Sequence, residues 1–225
     1  MKISIVTLFP EIFTQTLNTS ILGRAQKKGK VVFELVNLRD FGNGKHQVVD
    51  DKPYGGGVGM ILKADVLAKA LRQVTGKPKI LLTSASGTPY KQEKAKEYSK
   101  LEHLVIVCGH YEGVDQRFID KYVDEEISIG DFVLTGGEIP ALAIIDSIVR
   151  LIPGVIEKEE AVLKESFENN LLEHPQYTRP EKFDGSEVPK VLLSGNHQNV
   201  EKWRLEKSLE KTKKVRPDIL KLKNY

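Results

Sequence analysis

The sequence predicts an α/β fold, a mostly parallel sheet with helices on both faces, followed by a small helical C-terminal domain. Three observations carry this. Segments rich in Ile and Val alternate with segments of helical spacing as far as Ile152, the pattern of strand–helix units feeding a parallel sheet. One of them, H-L-V-I-V-C at 103–108, is apolar without alternation, as expected of a strand covered on both faces. After Pro153-Gly154 the chain turns polar and mixed in charge, then dense in proline, then helical, which marks a change of unit. Residues 1–154 are therefore expected to form one domain, 155–170 a mobile linker and 171–225 a second domain.

The elements follow in order. Lys2 to Leu8 alternates and is rich in Ile and Val, so it reads as a strand. Pro10 opens a helix through about Leu17, and a second covers roughly Ile21 to Lys28. Val31 to Asn37 is the next strand. From Leu38 to Gly59 periodicity is lost, a length too great for an idle connection. Val66, Leu67, Ala70, Leu71 and Val74 share one helical face within 63–74, and Gly76 stops that helix. Lys79 to Thr83 reads as a strand, S-A-S-G-T-P as a turn, Lys91 to Lys100 as a polar helix and Val114 to Tyr122 as another. Cys108 ends the buried 103–108 strand and is expected in the core. After Pro140 the run A-L-A-I-I-D-S-I-V-R-L-I is apolar on nearly every face and should be a buried helix, with Thr135 capping its start and Pro140 in its first turn. Near the end, Val200, Trp203, Leu205 and Leu209 give an amphipathic helix over 199–215, and Pro217 starts a last short one.

Composition excludes several classes. No window approaches the eighteen or so apolar residues of a membrane span. The opening M-K-I-S-I-V-T-L-F-P has no small-residue cleavage site after it and reads better as a strand than as a signal peptide. The single cysteine cannot form an internal disulfide, and no Cys/His spacing suggests zinc. A cytoplasmic location is expected. The net charge is +3, but residues 201–225 hold nine Lys/Arg against four Asp/Glu, leaving −2 for the first 200. A basic end on a near-neutral body suits contact with a polyanion such as nucleic acid, although a solvated basic helix face has the same composition.

The most informative stretch is I-S-I-G-D-F-V-L-T-G-G-E-I-P, 127–140, in which short apolar pieces alternate with glycines before the buried helix. Glycine-rich loops also occupy 84–89 and 109–113. In open α/β sheets ligands sit at the carboxyl ends of strands, so three such loops can converge on one pocket. None has a phosphate-binding spacing: there is no G-x-x-x-x-G-K-[ST], and no G-x-G-x-x-G with an acid downstream. A nucleoside triphosphatase or a conventional dinucleotide enzyme is disfavoured. An adenosine moiety without phosphates, held by backbone groups, fits better.

Four long motifs, V-D-D-K-P-Y-G-G-G-V-G-M, C-G-H-Y-E-G-V-D-Q-R-F, S-I-G-D-F-V-L-T-G-G-E-I-P-A and L-L-E-H-P-Q-Y-T-R-P, together resemble the bacterial tRNA (guanine-N1)-methyltransferase family, in the family's order and over essentially the whole chain. The resemblance implies an S-adenosylmethionine-dependent enzyme that methylates N1 of the guanosine just 3′ of the anticodon. It also implies a catalytic domain with a deep C-terminal trefoil knot, a homodimer with active sites at the subunit interface, and a tRNA-binding C-terminal domain. Pattern rules alone give an ordinary doubly wound sheet, because knots are so rare.

By matching positions, the resemblance puts the cofactor pocket at Thr83, Ser84, Gly109, Glu112, Ile129, Gly130, Leu134, Gly136, Gly137 and Pro140. The reaction sets what else is required. Guanine N1 carries a proton at neutral pH, so a base must accept it, and charge developing on O6 needs a cation. The family's arginine falls on Arg150, one turn after Asp146, where an intrahelical ion pair is the plain alternative. Its aspartate base falls on Glu165, a departure that adds one methylene, with Glu168 and Glu173 as fallbacks. Glu173 matches a second family acid that helps hold the base or a magnesium ion. Contact with tRNA is expected from Arg24, Lys45, His46, Asp50, Tyr54, Glu173, Tyr177, Arg179, His197 and Arg204, with Trp203 in a packing role. Two competing expectations are a knotted methyltransferase acting on ribose 2′-OH and a non-catalytic RNA-binding relative.

Overall fold

The computed structural model describes residues 1–157 and 165–220. The chain divides into two compact units, Met1–Glu157 and Lys158–Tyr225.

The first unit is built on five parallel strands in the order β2-β1-β6-β5-β7. These are β1 (Lys2–Thr7), β2 (Val32–Asn37), β5 (Lys79–Pro89), β6 (His103–Cys108) and β7 (Glu125–Ser128); β3 (Asp50–Asp51) and β4 (Ile61–Leu62) form a separate short antiparallel pair. Parallel neighbours need crossover connections, and the helices supply them: α1 (Glu11–Leu17), α2 (Ser20–Lys27), α3 (Ala64–Leu71), α4 (Gln92–Tyr98), α5 (Gln116–Tyr122) and α6 (Glu138–Val149).

The side chains of β6 show why its sequence does not alternate. Leu104, Ile106 and Cys108 join one core with Phe13 and Leu17 of α1, Leu22 of α2, Tyr98 of α4 and Ile144, Ile145 and Ile148 of α6. Val105 and Val107 join a second core with Val66 and Leu67 of α3 and Phe118 of α5. Both faces are buried, so every position must be apolar. Each fully buried Leu, Ile or Phe contributes roughly 1.5–3 kcal/mol relative to exposure.

Three sequence expectations need correction. The helix after the glycine stretch starts at Glu138, two residues before Pro140, and its N-cap is Gly137 with no side-chain cap, so Thr135 does not cap it. The S-A-S-G-T-P segment is not a plain turn. β5 pairs with β7 at Thr83↔Ile127, leaves the ladder, and pairs again at Thr88↔Ile127 and Pro89↔Ser128. Glycine and proline there mark a detour within a strand rather than its end. Leu205, placed on the apolar face of the long C-terminal helix, is 55% exposed.

A polar hub fixes that detour. Glu125 accepts from Lys94 (2.8 Å), Tyr98 Oη (2.6 Å) and Thr88 Oγ1 (3.2 Å), tying α4 and the second half of β5 to β7. Burial raises the Glu125 carboxyl, but the Lys94 and Tyr98 hydrogen bonds outweigh it and leave the group below its ordinary value.

The second unit contains the hairpin β8 (Lys182–Phe183) and β9 (Ser186–Glu187), then α7 (Lys190–Leu193), α8 (His197–Val215) and α9 (Pro217–Leu220). Asn196 caps α8 by accepting from the Asn199 N–H. Thr212 of α8 is fully buried and accepts from the Leu172 N–H at 2.8 Å, which fastens the extended 171–176 segment. The expected linker falls partly on 158–164, outside the described residues.

Candidate functional site

The carboxyl ends of β5, β6 and β7 open onto one cleft of about 480 Å³, within the usual size of small-molecule sites. Its walls are residues 82–86 at the start of the β5 detour, the 109–114 loop, the 126–137 stretch and Pro140 of α6. All ten residues assigned by motif matching, Thr83, Ser84, Gly109, Glu112, Ile129, Gly130, Leu134, Gly136, Gly137 and Pro140, line it.

The cleft is held by backbone and hydroxyl contacts. Thr83 is buried, its Oγ1 donating to the Val107 carbonyl and accepting from the Gly109 N–H, each at 3.3 Å. The Gly137 N–H donates to the Gly109 carbonyl at 2.7 Å, so the 109 loop and the start of α6 are stitched together. A Cβ at Gly137 would overlap the Thr83 hydroxyl and lie 2.7 Å from the Gly109 nitrogen, so only glycine allows this approach. Ser128 Oγ donates to the Gly130 carbonyl at 3.0 Å and shapes the next turn.

Glu112 is exposed on the rim. Its N–H donates to the Met60 carbonyl at 3.0 Å, and its side chain lies where a Cβ on Gly59 would stand. Among the described residues, Glu112 and Glu126 are the lining carboxylates and no Lys or Arg lines the cleft. That lining repels a polyphosphate and suits a cationic ligand such as a sulfonium. Beneath the floor, burial and then the Glu138 charge push the Cys108 thiol well above its ordinary value, so it is an inert core group.

The other predicted residues divide between the two units. Arg150 is the C-cap of α6, whose N-cap is Gly137, and thirteen residues of helix put it about 20 Å from the cleft end. In unit 1, Arg24 is exposed in the last turn of α2, and Lys45 and His46 are exposed in the turn closed by the Asn43–Val48 bridge. Asp50 is half-buried in β3 and Tyr54 is 98% exposed.

In unit 2, Glu165 is half-buried. Beside it, Ser166 Oγ accepts from the Glu173 N–H at 3.0 Å, and Glu173 accepts from Gln176. Tyr177, Arg179 and His197 are exposed, and Arg204 pairs with Glu201 at 2.8 Å. Trp203 is half-buried, its ring 6.2 Å from Tyr177 and 6.4 Å from His174. Among the described residues no three of His, Cys, Asp and Glu gather to hold a metal, so magnesium at Glu165 and Glu173 finds no support. No described helix is long and apolar enough to cross a membrane.

Sequence reasoning named the loops that hold Ser86, His110, Tyr111, Phe132 and Val133 without singling those residues out, and it missed Glu126 and Ser128 as lining residues. Alternation in 126–129 was the available signal for Glu126 and Ser128. It also missed Glu138, which reads as an ordinary acidic first-turn residue yet is buried.

A family model described as tRNA (Guanine-1)-methyltransferase TrmD matches residues 1–222 of this chain. The chain is 52% identical over 224 residues to a protein of Anoxybacillus flavithermus named tRNA (guanine-N(1)-)-methyltransferase, covering 98% of this chain and 91% of that one. Proteins of the same name from Brevibacillus brevis and Bacillus subtilis are 53% and 51% identical, covering 98% of this chain and 91% and 93% of theirs.

Proposed function

The chain belongs to the tRNA (guanine-1)-methyltransferase family, and from that premise we propose that it methylates guanine N1 in tRNA at the position just 3′ of the anticodon, with S-adenosylmethionine as donor. One observation carries the cofactor assignment: ten motif-matched residues meet in one cleft that, among the described residues, is lined by two carboxylates and by no Lys or Arg. S-adenosylmethionine supplies an electrophilic methyl group on a sulfonium. Backbone edges at Leu134 and Gly136 bind the adenosine, Gly109, Gly130 and Gly137 let the walls approach it closely, and Glu112 lies at the methionyl end.

Glu165 takes the N1 proton of guanine, and Arg150 steadies the charge that develops on O6. Because Arg150 ends the helix whose other end borders the cleft, it lies too far along α6 to serve its own site. A second copy of the chain donates it in a homodimer with active sites between subunits. The basic 201–225 segment, with Tyr177, Arg179, His197 and Arg204, holds the tRNA through phosphate contacts and stacking. Arg24, Lys45, His46, Asp50, Tyr54 and Glu173 complete that set. The proposal includes the trefoil knot in the C-terminal half of the catalytic domain, with residues 1–154 catalytic and 171–225 binding tRNA, and a cytoplasmic location.

The test is incubation with labelled S-adenosylmethionine and tRNA transcripts carrying guanosine or adenosine after the anticodon, followed by nucleoside analysis. 1-Methylguanosine from the guanosine transcript alone is the expected result. A 2′-O-methylated nucleoside would support the ribose-directed alternative, and cofactor binding without transfer would support the non-catalytic one.

A further inference from the structure

Two titratable groups that this chemistry leaves idle sit against the cleft. Glu138, in the first turn of α6, is 4% exposed, and its Oε1 accepts from Thr7 Oγ1 at 2.9 Å. His110 lines the cleft between Gly109 and Glu112. Its Nδ1 is a buried nitrogen with no hydrogen-bond partner among the described residues, and the second carboxylate oxygen, Glu138 Oε2, stands 3.9 Å away.

That separation is about 1 Å too long for a hydrogen bond. An orphaned buried nitrogen beside a buried carboxylate oxygen is a poor resting arrangement, since the nitrogen lacks a partner that Glu138 Oε2 could provide. The surroundings leave little room for other partners. The His110 ring packs on Phe9, with centroids 5.2 Å apart, and edge-on to Tyr111 at 4.7 Å. A Cβ at Gly136 would overlap the Glu138 carboxylate and lie 2.6 Å from His110 Nδ1. The backbones of His110 and Gly136 form an isolated antiparallel bridge. Any shift of the imidazole toward Glu138 is therefore felt by the 136–137 turn, which is itself a wall of the cleft.

We propose that Glu138 is a positioning residue for cofactor binding: when the cleft is filled, His110 Nδ1–H closes onto Glu138 Oε2, fixing the imidazole and the 136–137 turn while Thr7 holds the carboxylate from the other side. With Nδ1 tied as donor, Nε2 is the nitrogen left for the cleft. The proposal rests on the reading that the cleft holds S-adenosylmethionine.

The experiment is calorimetric titration of the full chain with S-adenosylmethionine, with steady-state kinetics and thermal midpoints alongside. Absence of binding by the wild type would sink the cofactor assignment itself, separately from the role of Glu138. His110→Phe keeps a ring and loses the donor. His110→Asn puts an amide nitrogen near the place of Nδ1. Glu138→Gln offers one acceptor oxygen where Glu offers two. Expected are losses of about tenfold in cofactor affinity for His110→Phe and Glu138→Gln, carried by KM rather than kcat. His110→Asn should stay within about threefold of wild type, and the double variant His110→Phe/Glu138→Gln should be no worse than the weaker single. Wild-type affinity in His110→Phe, failure of His110→Asn to rescue, or additive losses would each overturn the proposal. If Glu138→Gln does not fold, the two His110 variants decide alone.

Discussion

The Thr83 hydroxyl occupies the space that a side chain on Gly137 would need, and the same hydroxyl bridges the Val107 carbonyl and the Gly109 N–H. A single oxygen thus joins β5, the end of β6 and the start of α6. Gly137→Ala should push these apart, at a cost of about 1–3 kcal/mol of stability, as overpacking does. Thermal unfolding should register that loss, and calorimetry should show cofactor affinity falling with it.

Removing the proposed base should act on chemistry alone. Glu165→Gln is expected to lower the single-turnover rate with tRNA by about 10²–10⁴-fold, the usual worth of a general base, with cofactor affinity unchanged. Glu165→Asp, which has the same carboxylate one methylene shorter, should keep the rate within about tenfold of wild type. An undiminished rate in Glu165→Gln would remove Glu165 from the mechanism.

Glu125 should make stability depend on acid. Its carboxyl lies below the ordinary 4.5 in the folded chain, so its contribution is full above about that pH and is lost as pH falls through the folded value. Glu125→Gln, which removes the charge facing Lys94 and one of the two acceptor oxygens shared by Lys94, Tyr98 and Thr88, should cost about 1–3 kcal/mol at neutral pH. The gap in thermal midpoint between variant and wild type should narrow as pH drops below 4.5. A gap independent of pH would mean that the carboxylate charge contributes nothing.

Contacts to tRNA phosphates should announce themselves through salt. Lys45 and Arg179 are exposed, and replacing either by Ala should weaken tRNA binding about equally across tRNA sequences. Each loss should reduce the slope of log K against log salt by about one. Filter binding at several salt concentrations measures both effects.

Much of this was legible in the residues. The β6 run H-L-V-I-V-C announced a doubly covered strand, and the glycine loops at 109–113 and 130–137 announced a cleft at strand ends. The ten motif-matched residues all line it, because a cleft built on close backbone approach leaves a trace of glycines and small residues. What stayed hidden depended on partners distant in sequence. Pairing of Thr88 and Pro89 with β7 overrides local turn chemistry, so 84–89 read as a turn. Burial of Glu138 needs Thr7, 131 positions away, and nothing local distinguishes it from a solvated first-turn acid. Leu205 fitted the helical period and yet is mostly exposed, since period marks a face without saying how wide it must be.

The detour in β5 has a consequence for motion. Residues 84–87 leave the ladder between two pairings with Ile127, so the segment has loop-like freedom with sheet-like moorings at either end. Its amides should trade protons for deuterium quickly while those of Leu82 and Thr83 stay slow. A guest entering there would quieten four residues without requiring the sheet to breathe.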